Sequence, residues 1–190
     1  MQLGWSCSLS DAAYVTERGW DGAILVCCPF HPEGGCGLER LGSYARVEPP
    51  GTRIPRWWCP KAGTSISLLP SFLAARFSGT LAAVEAVVAT VESAGGVAAA
   101  VDGVRPPDAP DAVGLPGALR WIWRRVLAVR AALLAVVTLL PERFGGVKPT
   151  LEALGSVLGV GRVLVTLREI LGRQLATLPA PLGFRARSTA

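Results

Sequence analysis

Two short clusters of cysteine and histidine lie in the first third of the chain. The first contains Cys28, His31 and Cys36, and the second contributes Cys59 after a segment long enough for two short strands. A thiolate three residues before an imidazole, on a turn that contains proline, is the arrangement with which a knuckle offers two ligands to one tetrahedral zinc ion. These four residues therefore form a candidate zinc site.

The fourth ligand is the weak point of this pattern. A second knuckle normally ends in a ligand at the last position of Cys-Pro-x-x, and the chain has Ala62 there. Either Cys36 takes the fourth place, because Gly34 and Gly35 let the backbone fold back toward the ion, or the site holds no metal. Four protein ligands leave no open position for water, so a bound zinc would be structural.

The remaining cysteines bear on the same question. Cys27 could compete with Cys28 as a ligand, although adjacent residues on an extended chain point in opposite directions. Cys7 stands apart and is expected to be a buried thiol. An odd total of five cysteines, with no signal-peptide pattern at the N-terminus, favours metal binding or free thiols over disulfides. The expected compartment is a reducing cytoplasm.

A second group of residues could bind an anion. Arg120, Arg124, Arg125 and Arg130 lie on a predicted helix, and residues 105–190 carry twelve Lys and Arg against five Asp and Glu. A basic helix preceded by two shorter helices is how a helix-turn-helix unit presents side chains to the major groove, where arginine contacts phosphates or guanine edges. The alternative is a solvated helix whose arginines pair with nearby acidic residues.

The tryptophan pair at 57 and 58 lies among basic residues on a predicted strand. Successive side chains on a strand point to opposite faces, so one ring can pack in the core while the other faces outward. The simpler interpretation is that both rings stabilise a small domain.

The pattern of residues predicts an α+β protein with a small zinc-ribbon-like antiparallel β unit followed by a mostly helical region. Apolar runs bounded by Pro and Gly predict strands, and longer periodic segments with caps and proline stops predict helices. The predicted strands are 23–27, 41–47, 53–58 and 64–69. The predicted helices are a possible short one at 10–18 and then 80–93, 97–104, 116–140, 150–158 and 161–178, with a loop at 105–114.

Three regions follow from these elements: a β domain at 1–70, a helical domain at 71–182 and a basic, disordered tail at 183–190. The mean hydropathy of +0.41 raises the question of a membrane span. The most apolar run, 126–140, is shorter than the ~20 residues that a span needs and contains Arg130, so we predict a buried helix and no membrane span.

Signatures of catalysis are missing from the sequence. His31 is the single histidine and belongs to the candidate zinc site, so no imidazole is left for a general base. No phosphate-binding loop of the G-x-x-x-x-G-K-[ST] type occurs, and the acidic residues form no paired arrangement. The sequence thus predicts a protein that is not an enzyme.

Several motifs together resemble a known family. They are CPFHPEGGC at 28–36, GSYAR at 42–46, RIPRWWCP at 53–60 and SLLPSF at 67–72. Over about residues 24–130 the chain is similar to the N-terminal zinc-ribbon and helix-turn-helix region of bacterial insertion-sequence transposases and to related short mobile-element proteins. It departs from that pattern at Ala62, and the acidic catalytic domain of a transposase is missing from it.

The resemblance implies a non-catalytic, DNA-binding accessory or regulatory product of a mobile element. Cys28, His31, Cys36 and Cys59 would hold zinc, and the four arginines would contact double-stranded DNA. A homo-oligomer, or a transposase or recombinase partner, is also expected. The alternative is a helical protein–protein interaction module in which a structural zinc ribbon serves as a rigid adaptor.

Overall fold

The structure is a computed structural model that describes residues 1–104 and 115–184. The chain divides into two compact units, Met1–Thr80 and Leu81–Ala190. Strands belong to the first unit and most helices to the second, so the predicted α+β class is confirmed. The loop expected at 105–114 and residues 185–190 of the expected tail lie outside the described residues.

A four-stranded mixed sheet forms the N-terminal unit. Its spatial order is β1-β4-β3-β2, with β1 parallel to β4 and the two other pairs antiparallel. One short helix, α1 (Asp11–Thr16), follows the first strand, and the Ser10 side chain caps it by accepting a hydrogen bond from the Ala13 N–H. The strands are β1 (Gln2–Trp5), β2 (Glu39–Ala45), β3 (Arg53–Cys59) and β4 (Thr64–Pro70).

The strand predicted at 23–27 does not form. Ala23 and Leu25 do turn toward the core, while Ile24 and Val26 are 73% and 91% exposed, so the alternation of a strand is present. The segment pairs with no named strand, and Gln2–Trp5 occupies the edge of β4 that β3 leaves open. Hydrophobic alternation makes a segment extended, but a strand also needs a partner for its backbone hydrogen bonds.

Arg46 fixes the segment that leaves the sheet. Its guanidinium donates hydrogen bonds to the backbone carbonyls of Glu48, Ala74 and Phe77. Burial lowers the pKa of Arg46 from its usual value. One side chain thereby holds the turn after β2 against residues 71–80.

Six helices make up the described part of the second unit. They are α2 (Leu81–Ser93), α3 (Val97–Val104), α4 (Leu115–Leu139), α5 (Pro141–Phe144), α6 (Leu151–Leu158) and α7 (Val163–Ile170). Helix α2 packs against α3, α4, α6 and α7. Its buried side includes Leu81, Val84, Val88 and Val91, which follow the helical repeat. In the described residues no helix is both long enough and apolar enough to cross a membrane.

The last predicted helix is shorter than expected. It was predicted to run over 161–178, and α7 ends at Ile170. Beyond it, Gln174 N donates to Leu171 O at 2.8 Å and Thr177 N donates to Gln174 O at 2.9 Å, which are three-residue turns rather than α-helical bonds. The carbonyl of Leu175 accepts from Phe184 N at 2.7 Å. In a continuing helix this carbonyl would accept from residue 179, which is proline and has no N–H, so the returning C-terminal segment supplies its donor instead.

Candidate metal centre

The first knuckle is a tight turn closed by backbone hydrogen bonds. His31 N donates to Cys28 O at 3.1 Å, and Gly34 N donates to His31 O at 3.0 Å. Gly34 and Gly35 follow with φ angles of +86° and +72°, a left-handed conformation that residues with a Cβ rarely adopt. These two glycines turn the chain back, so that Cys36 lies beside Cys28.

The second knuckle begins at the end of β3. Cys59 is the last residue of that strand, and the turn after it is closed by a hydrogen bond from Gly63 N to Pro60 O. The backbone N–H of Ala62 donates to the Cys59 sulfur at 3.4 Å. Ala62 has no side chain that could bind a metal, but its backbone N–H still contacts the cluster.

All four predicted ligands come together. The Sγ atoms of Cys28, Cys36 and Cys59 and a ring nitrogen of His31 lie within 4.8 Å of one another. His31 Nδ1 is 3.6 Å from Cys28 Sγ and 3.4 Å from Cys59 Sγ. Metal–ligand bonds of ~2.3 Å to sulfur and ~2.0 Å to nitrogen give a sulfur–nitrogen edge of about 3.5 Å in a tetrahedron. The two sulfur–nitrogen distances match that edge, so the four residues lie close enough to bind one metal ion.

The cluster belongs to the core of the sheet's inner face. Cys28, Cys36 and Cys59 are 2%, 6% and 0% exposed, and they pack with Ala23, Trp57, Ile66 and Leu68. Cys27 is exposed and is not part of the cluster, so the chain brings Cys28 and not Cys27 to the site. Cys7 is half-buried rather than buried as expected. Its backbone N–H donates to the Ser71 hydroxyl, which in turn donates to the Cys7 carbonyl.

The surroundings favour one thiolate. Burial acts to raise the pKa of Cys28, but hydrogen bonds with the His31 ring and the Phe30 backbone outweigh it and lower the pKa to about 6. Burial raises the pKa of Cys36, and its hydrogen bonds with Cys28 and Cys59 act in the same direction. Thiolates are the form that binds metal, so a cation here would draw the remaining protons away.

Four protein ligands in a buried cluster leave no coordination position for water or substrate. A metal bound here can join the two knuckles, but it cannot activate a water molecule.

The four predicted DNA-binding arginines do not share one environment. Arg120, Arg124 and Arg130 are exposed on α4. The expectation that Arg125 lies at the surface is wrong, because this residue is 7% exposed. Its guanidinium lies 3.5 Å from the centre of the Trp121 ring, and burial lowers its pKa to about 10. On the helical repeat Arg125 falls on the side of the buried Ile122 and Val129, about 100° from Arg124 and about 140° from Arg120 and Arg130.

The tryptophan pair follows the alternation of the strand. Trp57 is 6% exposed and packs in the metal-site core, while Trp58 is half-buried on the opposite face. Arg40 lies over the Trp57 ring, 5.6 Å from its centre, and donates to the carbonyls of Trp20 and Asp21. Sequence analysis did not single out Arg40. Its position directly opposite Trp57 depends on the register between β2 and β3.

Sequence analysis also missed an apolar surface on α4. Trp123, Leu127 and Leu134 are 46%, 58% and 56% exposed. Their spacing along the helix is visible in the sequence, but the core positions of α4 have the same apolar character, so only packing shows which set faces outward.

No protein-family model, curated protein or solved structure matches this chain.

Proposed function

We propose that the protein is a non-catalytic DNA-binding protein whose N-terminal unit is stabilised by one structural zinc ion. The observation that carries the DNA part is the exposure of Arg120, Arg124 and Arg130 on one side of α4, a helix that contains no acidic residue. Arginines so placed can form charge-assisted hydrogen bonds with phosphate oxygens. The sequence resemblance to transposase N-terminal regions supports the same ligand.

The zinc part of the proposal follows from the ligand set. Three cysteine sulfurs and one imidazole suit zinc better than calcium or magnesium, which take oxygen ligands. The ion would join the turn at Cys28–His31 to the end of β3, and so hold residues 23–38 on the sheet. A small unit buries a smaller fraction of its surface than a large one, so such a cross-link would add to its stability.

The test of DNA binding is the dependence of affinity on salt. Each phosphate that an arginine neutralises releases counterions, so replacing Arg120, Arg124 and Arg130 with Ala should reduce the slope of log K against log [salt] by ~3. A matched control replaces three exposed basic residues elsewhere, Lys61, Arg162 and Arg173, and should change the slope less. Equal slopes in the wild type and the α4 variant would refute the proposal.

A second candidate function is a protein–protein interaction module, and the exposed apolar residues of α4 favour it. Three of these large side chains, Trp123, Leu127 and Leu134, lie on one side of α4, and an exposed apolar patch often marks an interface. Sedimentation of the purified protein over a range of concentrations tests whether the partner is a second copy. A mass that rises with concentration in the wild type but not in Leu127→Ser/Leu134→Ser would support this function.

A further inference from the structure

Helix α4 presents an outward face with a fixed pattern. At 100° per residue, the exposed Trp123, Leu127 and Leu134 lie within about 40° of one another around the helix axis. Arg124 lies about 60° to one side of Leu127 and Arg130 about 60° to the other, with Arg120 between Leu127 and Arg124. The exposed side of α4 is therefore an apolar stripe with arginines on both flanks.

Duplex DNA satisfies only half of this pattern. Phosphates would pair with the arginines, but groove floors are lined mainly by polar base edges, and three large apolar side chains would remain against them. The free energy available from removing Trp123, Leu127 and Leu134 from water would not be gained. The stripe thus indicates a ligand that is anionic at its surface and apolar beneath it.

A second copy of the chain is less complementary in charge to this face of α4 than an anionic ligand is. Residues 115–139 include four arginines and no Asp or Glu. Two α4 stripes in contact would bring arginines together without a carboxylate to pair them, which is unfavourable as water is excluded. Charge complementarity calls for a negatively charged occupant.

We propose that the outward face of α4 binds the surface of an anionic phospholipid bilayer. The helix would lie in the plane of the interface, with Trp123, Leu127 and Leu134 at the boundary of the acyl chains. The flanking arginines would reach lipid phosphates while their aliphatic parts cover the apolar stripe. This function goes beyond DNA binding and involves no membrane-spanning segment.

The test is co-sedimentation of the full chain with phosphatidylcholine vesicles that contain or lack phosphatidylglycerol. Binding is expected only with the anionic vesicles and should weaken as salt rises. Leu127→Ser/Leu134→Ser should reduce the partition coefficient at least tenfold. Replacing Arg120, Arg124 and Arg130 with Ala should reduce it by about fivefold per residue.

Matched controls separate insertion of the α4 stripe from nonspecific adsorption of exposed apolar side chains to vesicles. Ile24→Ser/Val47→Ser removes two aliphatic side chains that are 73% and 85% exposed in the other unit, and it should leave vesicle binding unchanged. Trp123→Phe should remove most of the blue shift in tryptophan emission that vesicles cause, while circular dichroism confirms that each variant is folded.

Several results would overturn the inference. The first is binding to neutral vesicles that is as strong as binding to anionic ones. The second is a loss of binding in Ile24→Ser/Val47→Ser as large as that in Leu127→Ser/Leu134→Ser. The third is no vesicle binding by the folded wild type. A concentration-dependent dimer that the leucine pair abolishes would assign the face to a second copy instead. Duplex DNA binding that survives Leu127→Ser/Leu134→Ser, without any vesicle binding, would leave the DNA proposal standing and remove this one.

Discussion

Glu85 on α2 accepts a hydrogen bond from the backbone N–H of Val163, at the start of α7, at a distance of 2.8 Å. Its second carboxylate oxygen accepts from Leu164 N at 2.9 Å. Two helical turns further along α2, Glu92 accepts from Leu151 N, the first residue of α6, at 3.2 Å. One helix thus supplies carboxylates to the N-termini of two others, where unpaired N–H groups and the helix dipole favour negative charge.

Removal of the Glu85 carboxylate should destabilise the helical unit. Glu85 is 8% exposed, so Glu85→Ala leaves two N–H groups without an acceptor, and we expect a loss of about 2–4 kcal/mol in the free energy of unfolding. Glu85→Gln keeps the shape but loses the charge, and about half that loss is expected. Urea denaturation followed by circular dichroism measures both. The exposed Glu152→Gln serves as control, and equal midpoints for it and Glu85→Ala would show that the capping bonds contribute nothing.

The purified protein should contain one zinc ion per chain. Cys36→Ser and Cys59→Ser should each reduce zinc occupancy strongly, because a hydroxyl is a poor replacement for a thiolate in a tetrahedral site. Elemental analysis of protein prepared without chelator measures this. Cys27→Ser changes an exposed thiol next to the site and should keep full occupancy. Full zinc content in Cys36→Ser would mean that Cys36 is not the fourth ligand.

Removing the metal with a chelator should unfold the N-terminal unit before the helical unit. The buried cysteines would lose the ion that joins two turns, and the binding free energy of such a site is largely folding free energy. Hydrogen exchange by mass spectrometry should show faster exchange in residues 23–38 and 53–70 and little change in α2 and α4. Uniform exchange before and after chelation would contradict a structural role for the metal.

Arg124 and Arg125 are neighbours in sequence but should respond differently to substitution. Arg124→Met removes an exposed charge and should weaken duplex DNA binding with less than 0.5 kcal/mol effect on stability, as for most surface changes. Arg125→Ala removes a buried side chain stacked on Trp121 and should lower stability by about 1–3 kcal/mol. Thermal unfolding and DNA titration separate the two effects. If Arg124→Met and Arg125→Ala lost the same DNA affinity and had the same stability, Arg125 would be a DNA-contacting residue and not a structural one.

Local sequence determined much of the candidate metal site. The turns at Cys28–His31 and Cys59–Gly63 depend on prolines and glycines within a few residues, so the spacing of the ligands alone indicates that they can converge. The helices α2, α3, α4 and α6 begin and end within about two residues of the predicted positions, because caps, glycines and prolines near their ends act locally. Strands β2, β3 and β4 likewise follow from their apolar runs and turns.

Only the tertiary structure decided which partners each segment found. The apolar segment 23–27 stays unpaired while Gln2–Trp5, which carries no clear strand signal, pairs with β4. The predicted last helix stops at Ile170, and three-residue turns follow it while the returning C-terminal segment donates to the carbonyl of Leu175. Arg125 is buried while Arg124 is exposed because the neighbouring helices cover one side of α4 and not the other. Sequence patterns report what a segment prefers by itself, whereas strand partners, helix ends and buried faces depend on contacts between residues far apart in the chain.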